Sequence, residues 1–191
     1  MAQAGKAKTL ELYINSPGGD VFESRAIMAE LKRFPGNTIA HIDGLCASAA
    51  TSIALACGEV VMYDGAFFMI HNASGLAWGD KAELRATADL LEKVEGVIVK
   101  DYITKTGKDE AEIMAMMDAE TWFTAQEALD NGFVDRLSKS ENTTKNTWNL
   151  SAYANAPKPI EQPEPDLNEQ VAVQLQNNRN RMRLLTQRNR I

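Results

Sequence analysis

Three short runs carry residue types that can do covalent chemistry. In Gly44-Leu45-Cys46-Ala47-Ser48-Ala49-Ala50 a strand is expected to end at Gly44 and a helix of small residues to follow, which sets Ser48 at or near that helix's N-terminus. A serine there has two uses. Its hydroxyl can cap the helix, or it can attack a carbonyl with the Ala49 N–H aimed at the same reacting group. Met69-Ile70-His71 ends an apolar strand on a histidine. Such a residue is either structural or a general base able to take a serine's proton. The chain has 2 histidines. His41 is expected inside a strand, facing a partner or solvent, so His71 is the better base for Ser48. The third run, Ser16-Pro17-Gly18-Gly19-Asp20, joins a strand to a helix. Paired glycines allow a sharp turn and leave amide N–H groups uncovered, and the helix start adds its positive dipole end. That turn can bind an oxyanion or an anionic ligand, or serve for steric reasons alone.

The elements that must position these runs follow from periodicity. Residues 9–14, TLELYI, alternate and read as a strand; residues 21–34 place Phe22, Ala26, Ile27, Met28 and Leu31 at helical spacing, and Pro35-Gly36-Asn37 stops them. Residues 38–43 predict a second strand broken by Gly44, and residues 47–56 a buried helix. Residues 59–63 and 67–71 predict two short strands, 80–105 a long charged amphipathic helix, and 109–117 a shorter one after Gly107. Trp122-Phe123-Thr124 is extended, Thr124 opens a small helix that Gly132 closes, and residues 133–137 end the domain. This alternation predicts an α/β fold with a largely parallel sheet. After Ser138 the composition changes. Residues 139–168 are polar and contain Pro157, Pro159, Pro163 and Pro165, the makeup of a linker. Residues 169–191 form a tail in which 169–186 predict a short helix through Val171, Leu175 and Leu184-Leu185, with a basic end at Arg179, Arg181, Arg183, Arg188 and Arg190.

Bulk properties narrow the class. The 191 residues suffice for one domain with a core plus extra chain, and 45% hydrophobic with 24% charged residues is the balance of a soluble globular protein. A net charge of −6 argues against a generally basic nucleic-acid binder. Cys46 and Cys57 lie in apolar surroundings, fit buried thiols, and make no zinc pattern. Neither a signal-peptide core nor a membrane-spanning run is present, which predicts a cytoplasmic protein without a membrane partner.

In order and spacing, YINSPGGDVFESRAI, GLCASAA, MIHN and TWFTAQEALDNGFVD resemble the Clp protease proteolytic subunit, above all the ClpP-like proteases of phages and prophages that act in head maturation. The resemblance covers residues 9–138. It implies a crotonase-like spiral of ββα units with residues 80–105 as the handle helix. The family pattern also has a longer stretch before the SPGG strand, so this chain, with 14 residues before Asn15, is expected to be N-terminally shortened. The resemblance implies a serine endopeptidase with Ser48 as nucleophile and His71 as base, with Gly19 and Ala49 supplying oxyanion-hole amides. Glu120 falls at the acid position, where ClpP has aspartate, and Asp118 is the substitute. No metal or organic cofactor is implied.

The partners implied are a polypeptide substrate and further copies of the chain in a ring, with Trp78, Leu84, Leu90, Leu91, Val94, Val97 and Ile98 giving the handle an apolar face. Phage capsid or scaffold proteins follow from the head-maturation reading. Alternatives are a degradative Clp-type peptidase fed by an ATPase, a Ser-Lys peptidase of the signal-peptide-peptidase kind, a crotonase-type enzyme acting on acyl-coenzyme A, and a shell protein without activity.

Overall fold

The computed structural model describes residues 8–138, 150–151 and 153–157. The chain divides into two units, Met1–Ala156 and Pro157–Ile191, and every element below lies in the first. The linker expected over 139–168 lies outside the described residues except at 150–151 and 153–157. The basic helical tail expected over 169–191 lies outside them altogether.

In chain order the elements are β1 (Thr9–Ser16), α1 (Val21–Arg33), β2 (Asn37–Ala47), α2 (Ala49–Leu55), β3 (Glu59–Tyr63), β4 (Phe67–Ile70), α3 (Lys81–Thr106), α4 (Glu110–Asp118), β5 (Thr121–Thr124), α5 (Ala125–Asp130) and β6 (Arg136–Ser138). They form a mixed α/β fold around one 6-stranded sheet in which β2 is the hub. β1 runs parallel to one side of β2, from Thr9 opposite Asn37 to Ile14 opposite Ile42. On the other side β2 pairs in parallel first with β3 at Ile39–Ile42 and then with β4 at Leu45–Ala47. β6 adds to β3 in parallel, and β5 closes the other flank antiparallel to β4.

Gly44 does not break β2, contrary to the expectation from sequence. The strand runs through it to Ala47 because its second half meets a new partner in β4, which satisfies the backbone groups a break would have exposed. At the register shift in β1 beyond Ile14, the Asn15 Oδ1 accepts the Leu45 N–H at 3.1 Å, a side chain standing in for a missing ladder bond.

The core lies between the sheet and its helices. Ala40, Ile42, Val60, Met62, Phe68 and Ile70 alternate along their strands toward it and are fully buried, as β propensity and period-two patterning require. Phe133 fills the centre, with ring centroids 5.2 Å from Phe68, 5.1 Å from Phe123 and 5.8 Å from Tyr102. Small residues let α2 sink into this layer, with Ala49, Ala50, Thr51, Ser52 and Ala54 all buried. Cys46 and Cys57 are buried free thiols. His41 stacks on Tyr13 with centroids 4.8 Å apart.

The helix α3 starts on a capping box between Asp80 and Glu83 and ends at Gly107, whose φ of 72° reverses the chain in a conformation glycine adopts without strain. Its last third carries the buried residues Ile98, Val99 and Tyr102. Further toward its start, Leu84 and Leu90 are exposed, as is Val97, and Trp78 just before the helix is 99% exposed.

Candidate functional site

Ser48 stands at the junction of β2 and α2, and three hydrogen bonds hold its backbone. Its N–H donates to the Met69 carbonyl at 3.0 Å, which ties it to β4 two residues before His71. Its carbonyl accepts the Thr51 N–H at 2.9 Å and the Thr51 hydroxyl at 2.6 Å. The Thr51 Oγ1 in turn lies 2.6 Å from the hydroxyl of the fully buried Tyr102. The Thr51 hydrogen is committed to Ser48, so Tyr102 is the donor of that second bond. Ser48 adopts φ 55° and ψ −128°, a costly conformation for a residue with a Cβ, and this network is what sustains it.

Ser48 occupies the N-cap position of α2, but its side chain makes no cap hydrogen bond. Its Oγ lies instead 2.8 Å from the His71 Nε2. Of the two uses a serine has at such a position, the side chain is directed to the imidazole. Burial lowers the His71 pKa below its ordinary value, and the negative charge of Glu120 partly opposes that shift. The imidazole is therefore neutral near pH 7 and able to accept a proton.

The Ser16-Pro17-Gly18-Gly19-Asp20 turn comes against this pair. Gly18 has φ 103°, and a Cβ built on it would lie 2.7 Å from the Ala47 carbonyl oxygen and 2.7 Å from the Ser48 Cβ. The absence of a side chain is what lets the turn approach the serine. Gly19 and Ala49 line one cavity of about 50 Å³ together with Ser48 and His71. Asp20 caps α1 by accepting from the Phe22 and Glu23 amides at 2.8 and 3.0 Å, so those two N–H groups are not free for an anion.

The acidic candidates are placed less simply. Among the described residues, no hydrogen bond joins Glu120 to His71. The Glu120 carboxylate accepts from the Asn155 and Ala154 amides at 2.6 and 2.9 Å and from the Trp122 indole at 3.2 Å. Burial works to raise its pKa, but those donors and His71 together hold it below the usual carboxylate value. Asp118 accepts from the Asn72 side chain at 2.7 Å, one residue beyond His71.

Two contributors escape a reading of motifs. Thr51 and Tyr102 are 51 residues apart, and only their meeting behind Ser48 reveals them. Residues 150–155 lie in a polar, proline-bearing stretch, yet the Tyr153 ring stands edge-on to His71 with centroids 5.3 Å apart. The signal available in sequence was the apolar pair Leu150 and Tyr153 inside a run of linker composition. Among the described residues, no three His, Cys, Asp or Glu side chains gather to hold a metal ion, and no helix is long and apolar enough to cross a membrane.

Comparison with known proteins adds an independent line. The sequence model of the Clp protease family matches residues 1–141. The chain is 30% identical over 142 residues to the ATP-dependent Clp protease proteolytic subunit 1 of Leifsonia xyli subsp. xyli, covering 73% of this chain and 72% of that one. It is 31% identical over 144 residues to the ATP-dependent Clp protease proteolytic subunit 3 of Rhodococcus jostii, covering 73% and 70%. Among solved structures, a point-mutant form of ClpP1 from Listeria monocytogenes superposes with a TM-score of 0.63 at 24% identity, covering 70% of this chain and 75% of that one. A likeness at that identity speaks for the fold.

Proposed function

Because the chain belongs to the Clp protease family and is a serine-type peptidase, we propose that it cleaves internal peptide bonds with Ser48 as nucleophile and His71 as general base. The observation that carries this reading is the 2.8 Å contact between the Ser48 Oγ and the His71 Nε2, at a serine that does no capping. His71 takes the Ser48 proton as Oγ attacks the peptide carbonyl, then delivers it to the leaving amine; water reverses the sequence to release the acyl group. The Gly19 and Ala49 amides receive the developing oxyanion, an interaction worth about 3 kcal/mol per donor. Glu120 is the acid that steadies the imidazole, and its charge already favours the protonated ring. Family membership argues against the acyl-coenzyme A alternative, and labelling at Ser48 tests the inactive shell protein.

A pH dependence follows. The base must be neutral, so kcat/KM falls as pH drops through the folded-state pKa of His71, which burial sets below the ordinary histidine value of about 6.5. The acid limb of the profile is expected there. Glu120→Gln removes a charge that raises this pKa, so the limb moves further down. A limb above the ordinary value, or an upward move in Glu120→Gln, contradicts the assignment.

The polypeptide cut is, in this reading, a capsid or scaffold protein of a phage or prophage head, and the site of action is the host cytoplasm or the assembling head. The ordered motifs and the basic residues after 168 support it. The names of the relatives favour a second reading, a degradative peptidase fed by an ATPase. Mass spectrometry of the chain expressed beside its neighbouring structural proteins, wild type against Ser48→Ala, separates them. Discrete serine-dependent cuts in those proteins favour the first; no cuts without an added ATPase favour the second. We place the working form in a ring of identical chains, supported by the exposed Trp78, Leu84, Leu90 and Val97. Sedimentation as a monomer at micromolar concentration contradicts that arrangement.

A further inference from the structure

Residues 150–151 and 153–155 lie against the candidate active site, and their contacts fall on the groups around Ser48 and His71. Leu150 and Tyr153 pack on the small apolar cluster of Leu45, Ala47 and Met69, which Phe67 and Trp122 extend. The Tyr153 N–H donates to the Leu150 carbonyl at 3.0 Å, which folds the segment into a turn. The Tyr153 ring presents itself edge-on to both His71, at 5.3 Å, and Trp122, at 5.8 Å. Its hydroxyl donates to the Pro17 carbonyl, immediately before the Gly18-Gly19 turn. The next two amides, of Ala154 and Asn155, are both given to the Glu120 carboxylate, and the Asn155 side chain donates to the Ala119 carbonyl at 2.8 Å.

We infer that residues 150–151 and 153–155 belong to a strap that occupies the peptide-binding position of this chain's own active site, with Tyr153 in the place of a substrate's aromatic side chain and Glu120 engaged by the strap rather than by His71. The inference rests on the peptidase reading above and adds the regulation of that site. Two observations lead to it independently. The Tyr153 ring takes the space on one side of the reacting pair, edge-on to His71 at 5.3 Å, so a polypeptide laid along that side of the imidazole must displace it. The carboxylate is also diverted, because both its oxygens are bound by strap amides. Displacement of the strap frees the space beside His71 and the Glu120 carboxylate together. The chemistry that holds Tyr153 also names the preferred ligand: a polypeptide offering an aromatic side chain followed by two backbone N–H groups.

The test uses the full chain. Wild type, Tyr153→Ala and Leu150→Ala are treated with a fluorophosphonate, and the rate of adduct formation at Ser48 is followed by mass spectrometry, with Ser48→Ala as the blank. Tyr153→Ala is expected to label about tenfold faster or more, since the apparent reactivity of the wild type is scaled by the small fraction with the strap displaced. Leu150→Ala moves the same way, and an excess of the peptide Leu-Ser-Ala-Tyr-Ala-Asn slows Tyr153→Ala again. Wild-type or slower rates in both variants overturn the strap while leaving Ser48 as nucleophile. No adduct in any of the three overturns the peptidase reading, and the strap falls with it.

Discussion

Ser48→Ala and His71→Ala are each expected to lower kcat for peptide cleavage by on the order of a millionfold, and the double variant to be no worse than either alone. The non-additivity is the informative part. Without the Oγ there is no nucleophile for His71 to activate, and without the imidazole the serine hydroxyl keeps its proton, so each change disables the same step. Ser48→Ala further separates the two uses of a serine at a helix start. Loss of an N-cap costs about 1 kcal/mol of stability. The Ser48 side chain makes no cap bond and one hydrogen bond, to His71, so urea unfolding of Ser48→Ala is expected to stay within about 1 kcal/mol of wild type, the worth of that single bond. Activity lost with stability kept is the signature of the nucleophile. A variant that loses stability and keeps activity would return Ser48 to the role of a cap.

Gly18→Ala is the second large effect, and it acts through shape rather than chemistry. The added Cβ would stand 2.7 Å from the Ala47 carbonyl oxygen and 2.7 Å from the Ser48 Cβ. Neither can retreat easily. Ala47 is paired with Met69 in β4, and the Ser48 N–H is bonded to the Met69 carbonyl. The φ of 103° adds a strain of about 1–3 kcal/mol for a residue with a side chain. Either the turn lifts away from Ser48 or the serine shifts, and a displacement of about 1 Å at a reacting centre costs on the order of a hundredfold in rate. We expect kcat/KM to fall by about that factor, with a stability loss of about 2–3 kcal/mol in urea. Gly65→Ala is the control: its φ of 85° carries similar strain, but no atom beyond its two chain neighbours lies within 4 Å of the added carbon, and it sits in the turn between β3 and β4. It is expected to lose stability and keep its rate, so equal rate losses in the two variants would remove Gly18's special place.

Much of the scaffold was legible because its signals are local. β3 falls at Glu59–Tyr63 as expected, and the capped ends of α1 and α3 lie within one residue of their expected bounds. Gly44 misled because a glycine weakens a strand only where nothing else pairs with it, and the partner that rescues β2 comes twenty-odd residues later in the chain. The pairing of Ser48 with His71 could be read from motif order. The surroundings of Glu120 could not: its amide donors lie 34 and 35 residues away in a stretch whose prolines and polar side chains read as linker. The bond from Tyr102 to Thr51 was hidden for the same reason, since helical periodicity assigns Tyr102 to a core face and says nothing of where its hydroxyl ends.

The central claim, that Ser48 activated by His71 is the reacting group of this chain, is tested most directly by fluorophosphonate treatment followed by peptide mapping, on the full chain and on its Tyr153→Ala form. The account predicts one adduct, on Ser48, faster in Tyr153→Ala, absent in Ser48→Ala and nearly absent in His71→Ala. An adduct that persists in Ser48→Ala, or a Ser48 that stays unmodified with the strap residue removed, would contradict it.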